Sequence, residues 1–101
     1  MPKATVAANA LQITDIPNVG KSIAEDLAGL GVNQPEQLIG VDPYELYDRI
    51  NIATGKRHDP CLCDTFISAV RFMEGAPSLP WWHYTDERKR YFAQRTKVSD
   101  R

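Results

Sequence analysis

Apolar residues recur at intervals of three and four along most of this chain, a spacing typical of amphipathic helices. The strongest stripe lies in residues 60–74, where Phe66 and Val70 fall on one helical face. Residues 21–30 and 43–54 repeat the pattern more weakly. β-branched residues never alternate with polar ones over a useful length. The sequence therefore predicts an all-α fold of five or six short helices.

Acid–proline pairs mark the starts of the longer helices. Asp42-Pro43 and Asp59-Pro60 each predict a start, because the acid can accept hydrogen bonds from first-turn amides and proline suits the first helical position. Thr85 is predicted to cap a last helix that ends near residue 94. The face predicted to be buried in the helix after Asp42 consists of Leu46, Tyr47, Ile50 and Ala53.

Two shorter helices complete the prediction. One covers about residues 6–12 and must end before Pro17, because proline disfavours helical geometry in the residue that precedes it. The other covers residues 35–39. The aromatic residues Trp81, Trp82 and Tyr84 follow an extended connector and are expected to form a C-terminal arm, with one tryptophan docked on the core and the other exposed.

Length and composition indicate one globular domain. The chain has 101 residues, 43% hydrophobic and 25% charged, with a core expected over about residues 6–94 and a basic tail over 95–101. No apolar run approaches the roughly 18 to 20 residues of a membrane span, and no signal peptide is evident. We therefore expect a cytoplasmic protein without a membrane partner. Cys61 and Cys63 are too close in sequence to bridge each other readily.

Charge is unevenly distributed although the net charge is only −1. Residues 1–55 carry three basic and seven acidic side chains, whereas residues 86–101 carry six basic and three acidic ones. Arg88, Lys89 and Arg90 form the densest basic run. Such asymmetry permits a polyanionic partner without requiring one, and the ordinary alternative is a solvated helix face.

The segment 11–27 carries the most specific motif. It resembles the helix-hairpin-helix element, whose pattern of apolar residue, proline, glycine, apolar residue and glycine precedes an apolar helix. The matching residues are Ile16, Pro17, Val19, Gly20, Ala24 and Leu27. Asn18 replaces the first glycine, but asparagine is among the few residues that tolerate left-handed backbone geometry. The resemblance implies a helix-hairpin-helix (SAM-like) domain.

The chemistry of such a hairpin favours an anion. The turn presents backbone N–H groups at the start of the following helix, where the helix dipole is positive. Lys21 and Ser22 can add a charge and a hydroxyl, and Val19 is expected to pack inward and hold the turn. Asn18, Val19, Gly20, Lys21 and Ser22 are therefore the candidate phosphate-binding residues. The alternative is that the turn is only a good connector between two helices.

The wider sequence resembles one family more closely. These are short bacterial proteins described as pathogenicity-locus or mitomycin-resistance-like helix-hairpin-helix proteins, and the C-terminal domain of TfoX-type regulators is related. The resemblance implies a DNA-related role without giving a mechanism. The segments that carry it are residues 16–20, 42–47, 57–61, 64–66 and 80–82.

Other groups near the helix boundaries invite further hypotheses. Lys56 and Arg57 lie in a loop that could form a second, degenerate hairpin or could be a solvated basic loop. Cys61 follows a predicted helix start, where thiol pKa values fall, so a minor hypothesis is a reactive thiol. Burial as small hydrophobes is the alternative for Cys61 and Cys63, and their spacing fits no standard zinc site.

No catalytic motif is present, so we expect no enzyme activity, cofactor or metal. The sequence favours a non-sequence-specific DNA-binding module, in which Lys56, Arg57, Arg88, Lys89 and Arg90 assist the hairpin in holding backbone phosphates. A protein-interaction or homodimerisation module with no nucleic-acid ligand is the alternative, favoured by the low net charge.

Overall fold

A computed structural model describes the backbone of residues 3–99 and the side-chain surroundings of residues 3–95. All the regular secondary structure in these residues is helical. The all-α prediction is thus confirmed for this part of the chain. The expected five or six helices are instead four α-helices and four 3-10 turns. The α-helices are α1 (Lys21–Gly29), α2 (Pro43–Thr54), α3 (Pro60–Met73) and α4 (Thr85–Ser99), and the turns are Ala7–Asn9, Ile13–Asp15, Pro35–Leu38 and Trp81–Tyr84.

The acid–proline pairs begin α2 and α3 as predicted. The Asp42 carboxylate accepts a hydrogen bond from the Tyr44 amide at 2.9 Å, and the Asp59 carboxylate accepts one from the Cys61 amide at 2.8 Å. Both acids thereby satisfy amides that would otherwise lack an intrahelical partner. The prediction for Thr85 is wrong, because α4 already includes this residue and its hydroxyl donates a hydrogen bond to α3 instead.

The predicted first helix over residues 6–12 is also wrong. This segment contains only the 3-10 turn Ala7–Asn9. The side chain of Asp15 accepts hydrogen bonds from the amides of Leu11 and Gln12, which draws the chain into the next turn, Ile13–Asp15. Val6 is 53% exposed and Leu11 is 79% exposed. A helix here would bury no apolar stripe to stabilise it.

Helix α3 lies at the centre of the core and packs against α2, α4 and most of the 3-10 turns. Its buried residues run without a break from Cys63 to Val70. On α2 the predicted burial of Leu46, Tyr47 and Ile50 is confirmed, whereas Ala53 is exposed.

Aromatic contacts join α4 to α2. The rings of Tyr44 and Tyr91 stack with centroids 3.6 Å apart, and Phe92 meets Tyr44 and Tyr47 edge-on. Aromatic packing therefore continues beyond the predicted cluster at residues 81–84 and includes Tyr91 and Phe92 of α4. That helix extends to Ser99, beyond the predicted end at residue 94.

The remaining aromatic predictions concern the 3-10 turn Trp81–Tyr84. Trp81 is half-buried, Tyr84 is buried and Trp82 is 62% exposed, so the expectation of one exposed tryptophan is confirmed. Residues 100–101 of the predicted basic tail lie outside the described residues. Within the described part, no helix combines the length and apolar character needed to cross a membrane.

Candidate functional site

The turn before α1 depends on Asn18. Its φ of 71° makes it the one non-glycine residue with left-handed geometry among the described residues. Its side-chain amide donates hydrogen bonds to the Ser68 hydroxyl at 3.0 Å and to the Leu79 carbonyl at 2.7 Å. Asparagine thus supplies the backbone conformation expected of the missing glycine and also ties the turn to α3 and the connector. The side chain is held within the fold, so it does not extend over the start of α1.

Burial of the neighbouring residues fixes the same turn. Ile16 and Val19 are 0% exposed and Pro17 is buried. The predicted inward packing of Val19 is confirmed. Residues 16–19 therefore form a rigid base from which α1 begins.

The start of α1 is exposed and has no side-chain cap. Gly20 occupies the N-cap position, and the first turn contains no acid. Among the described residues, no protein atom accepts a hydrogen bond from the amides of Gly20, Lys21 or Ser22. All three residues are exposed. These amides, the helix dipole and the Lys21 ammonium together make a local environment suited to an anion.

Lys3 is part of this site, although no sequence motif indicated its involvement. Its Nζ donates hydrogen bonds to the carbonyls of Thr14 and Val19. The amide of Ala4 also donates to the Asp15 carbonyl at 2.8 Å. The N-terminal segment therefore lies along residues 14–19, and no local motif around Lys3 predicts that contact.

The loop at residues 55–59 resembles the turn before α1 only in part. Gly55 is left-handed with a φ of 69°, and Lys56 and Arg57 are exposed. The loop is held from within, because the Tyr47 hydroxyl donates to the carbonyl of His58. At the start of α3, however, Pro60 has no amide hydrogen, and Asp59 occupies the next amide as a cap. This loop thus offers the basic side chains that a second hairpin would need, but not the free amides that would bind an anion.

The basic residues 88–90 at the start of α4 differ in burial and in their partners. The Arg88 guanidinium forms an ion pair with Asp64, with 2.9 Å between Nε and Oδ1. The side chain of Arg88 is 16% exposed and that of Asp64 is 0% exposed. Thr85 donates a further hydrogen bond to Asp64 at 2.7 Å. Arg88 thus joins α4 to α3 inside the fold, which gives it a different role from the predicted phosphate contact, whereas Lys89 and Arg90 are exposed.

Helix α3 sets the distances between these groups. Asp64, which holds α4, and Ser68, which holds the hairpin, are four residues apart and therefore lie on the same helical face. At a rise of 1.5 Å per residue, their positions differ by about 6 Å along the axis. The hairpin and the start of α4 are thus attached side by side, and the loop carrying Lys56 and Arg57 lies at the end of α3 nearer Asp64.

The two thiols do not favour the minor hypothesis of a reactive Cys61, and the alternative of burial holds for Cys63, whereas Cys61 is half-buried. A side-chain hydrogen bond with Asp59 raises the pKa of the Cys61 thiol, and desolvation adds to the effect. Burial raises the pKa of Cys63 to about 12. The same Asp59 carboxylate caps the start of α3 and opposes the lowering of the thiol pKa expected there. In the described residues, no three His, Cys, Asp or Glu side chains are grouped so as to hold a metal ion.

In the part of the chain that the structure describes, fold and site together define a small all-α domain in which α1 begins without a side-chain cap. Comparison with known proteins then gives its family. A family model described as "Pathogenicity locus" (Cdd1) matches residues 6–90, so the chain belongs to this family. The chain is also 51% identical over 81 residues to a protein of Streptomyces lavendulae named "Mitomycin resistance protein McrB", an alignment that covers 80% of this chain and 77% of that protein. No solved structure matches.

Proposed function

We propose that this chain is a non-enzymatic, non-sequence-specific DNA-binding module of the helix-hairpin-helix kind. In this proposal the 3-10 turn Ile13–Asp15 and α1 flank the hairpin, and residues 18–22 hold a backbone phosphate. The observation that carries the proposal is the exposed start of α1, where the amides of Gly20, Lys21 and Ser22 have no acceptor among the described residues. Backbone N–H groups at a helix start are a recurrent solution for binding phosphate.

Comparison with α2 and α3 sharpens the argument. Each of those helices begins with an aspartate that accepts its first amides, whereas α1 begins with Gly20 and has Lys21 in its first turn. A Cβ added at Gly20 would meet no atom within 4 Å, so packing within the fold does not require glycine there. Close approach of a ligand to the backbone is a reason for glycine at this position.

Charge sets the expected strength of binding. The exposed basic residues that we assign to phosphate contacts are Lys21, Lys56, Arg57, Lys89 and Arg90. If all five engaged a duplex, log K would fall against log salt with a slope of about −4.5, since each contact contributes about −0.9. Arg88 is left out because its guanidinium is paired with Asp64.

A substitution that caps α1 internally tests the site. Gly20→Asp should place a carboxylate on the free amides, as Asp42 does on α2, and its negative charge should repel phosphate. Gly20→Ala is the matched control, because it adds a Cβ into open space and leaves the amides free. Binding would be measured by fluorescence anisotropy of labelled duplex DNA at two salt concentrations, and folding by circular dichroism.

Loss of binding in Gly20→Asp, with folding intact and binding largely retained in Gly20→Ala, is the expected result. Equal binding by the aspartate variant and the parent would remove the hairpin from the interface. Failure of the parent to bind at low salt, up to the ~10⁻⁴ M end of non-specific affinities, would refute the DNA proposal as a whole.

A second candidate function is a protein-interaction or homodimerisation module. The observation that favours it is Trp82, which is 62% exposed and contacts Trp81 edge-on. Exposed aromatic residues are enriched at protein interfaces. Sedimentation equilibrium of the parent and a Trp82→Ser variant, without DNA, would test self-association. A dimer that Trp82→Ser dissociates would support this function, and a monomer at all concentrations would exclude the homodimer.

A further inference from the structure

Lys3 contacts the proposed hairpin but is not among the proposed phosphate contacts. Lys3 Nζ donates to two carbonyls on the hairpin, those of Thr14 and Val19. The Val19 carbonyl belongs to the same peptide unit as the amide of Gly20. That amide has no acceptor among the described residues.

The geometry of this peptide unit links Lys3 to the phosphate site. The described chain has no cis peptide bond, so the carbonyl of Val19 and the N–H of Gly20 point in opposite directions. The Lys3 ammonium group therefore lies at one edge of this peptide plane. A ligand bound to the Gly20 amide would lie at the opposite edge. A charge-assisted hydrogen bond to the carbonyl polarises the whole unit and makes its N–H a stronger donor.

We propose that Lys3 is a positioning residue of the phosphate site. Its ammonium group fixes the Val19–Gly20 peptide and strengthens the Gly20 N–H as a donor, without touching the phosphate itself. This inference rests on the proposed DNA-binding function. It assigns to the N-terminal segment a part in the site that the hairpin motif alone does not contain.

Salt dependence distinguishes this role from direct contact. A lysine that neutralises a phosphate contributes about −0.9 to the slope of log K against log salt, whereas a positioning lysine contributes nothing to it. Lys3→Met should therefore weaken duplex binding by the same factor at every salt concentration. We expect a loss on the order of three- to tenfold, the usual effect of one hydrogen bond on an equilibrium constant.

The experiment compares three variants with the parent on one labelled duplex over a range of salt concentrations. Lys3→Met removes the donor, Lys3→Arg keeps a cation with several donors, and Lys21→Met removes a proposed direct contact. Lys3→Arg should retain most of the affinity, and Lys21→Met should make the slope shallower by about 0.9. Thermal unfolding of each variant verifies that the fold is intact.

A second readout needs no DNA. The amide proton of Gly20, observed by NMR in the free protein, should move upfield in Lys3→Met because its peptide unit loses polarisation. The amide of Gly55, which donates to the Ile52 carbonyl at the end of α2 and has no contact with Lys3 among the described residues, serves as the internal control and should not move.

The expected result for Lys3→Met is a loss of affinity by the same factor at every salt concentration, together with an upfield shift of the Gly20 amide resonance. A slope that becomes shallower in Lys3→Met would overturn the proposal, since Lys3 would then contact phosphate directly. Unchanged affinity or an unmoved Gly20 resonance would overturn it as well. If the parent binds no DNA, the proposed function fails, but the resonance still decides whether Lys3 polarises this peptide.

Discussion

Replacing Arg88 by alanine should destabilise the fold far more than replacing its neighbour Arg90. Arg88 is the cation nearest to a fully buried carboxylate, with 2.9 Å between its Nε and Asp64 Oδ1, and its second contact to Asp64 is 3.4 Å long. In Arg88→Ala the hydrogen bond from Thr85 would be the one that remains to the buried carboxylate from the described residues. Arg90 is exposed and has no protein partner among the described residues.

The size of the effect follows from burial at both ends of the pair. Asp64 is 0% exposed and the Arg88 side chain 16% exposed, so solvent can screen little of the charge that remains. Removing one partner of a buried pair costs about 3 to 5 kcal/mol, whereas an exposed substitution usually changes stability by less than about 0.5 kcal/mol. A domain of this size has a total stability of only about 5 to 15 kcal/mol. Arg88→Ala should therefore lower the melting temperature by about 12 °C or more.

Urea unfolding followed by circular dichroism at 222 nm would measure both variants. A third protein, with Arg88→Met and Asp64→Leu together, should recover most of the loss, because it removes both charges and leaves apolar groups. The reasoning is refuted if Arg88→Ala and Arg90→Ala unfold with free energies within about 0.5 kcal/mol of each other. If Arg88→Ala also lost DNA binding at full stability, the original assignment of Arg88 to a phosphate contact would be correct.

Three further predictions follow from single contacts. Asn18→Ala should lose about 2 to 3 kcal/mol in urea unfolding, because it strains a left-handed residue and removes two hydrogen bonds, whereas Asn18→Gly avoids the strain and should lose less. Backbone hydrogen bonds lower the pKa values of Asp15 and Asp59 in the folded state below the ordinary 3.8, so their contribution to stability is complete above that pH and is lost as the pH falls below it. The stability of Asp15→Asn and Asp59→Asn should therefore decline less steeply with acid than that of the parent. Iodoacetamide should modify Cys61 slowly at pH 8 and Cys63 only on unfolding, and rapid modification of Cys61 would contradict its raised pKa.

Local signals in the sequence were sufficient for the helix starts and the central stripe. Asp42 and Asp59 bond to amides two residues away, and the burial of α3 follows from its own periodicity. The left-handed geometry of Asn18 and the burial of Val19 were predictable for the same reason, since proline, asparagine and glycine determine the backbone over only a few residues.

The errors arise where distant residues compete with local preferences. Thr85 is a good capping residue, but its hydroxyl bonds to Asp64, 21 residues earlier in the chain. Asp64 is fully buried on α3, and neither its burial nor its pairing with Arg88, 24 residues later in the chain, was predicted. Lys3 bonds to carbonyls 11 and 16 residues away, and no periodicity predicts such a contact.

Charge shows the same difference between sequence and structure. The sequence has an acidic first half and a basic end, yet Arg95 pairs with Asp48 at 2.7 Å and Arg88 pairs with Asp64. The asymmetry is thus partly cancelled within the fold, and the basic end is less available to a polyanion than its composition indicates. If DNA is the ligand, the field at the start of α1 must supply much of the attraction. Because backbone amides bind any phosphate alike, modest affinity without sequence preference follows from that arrangement.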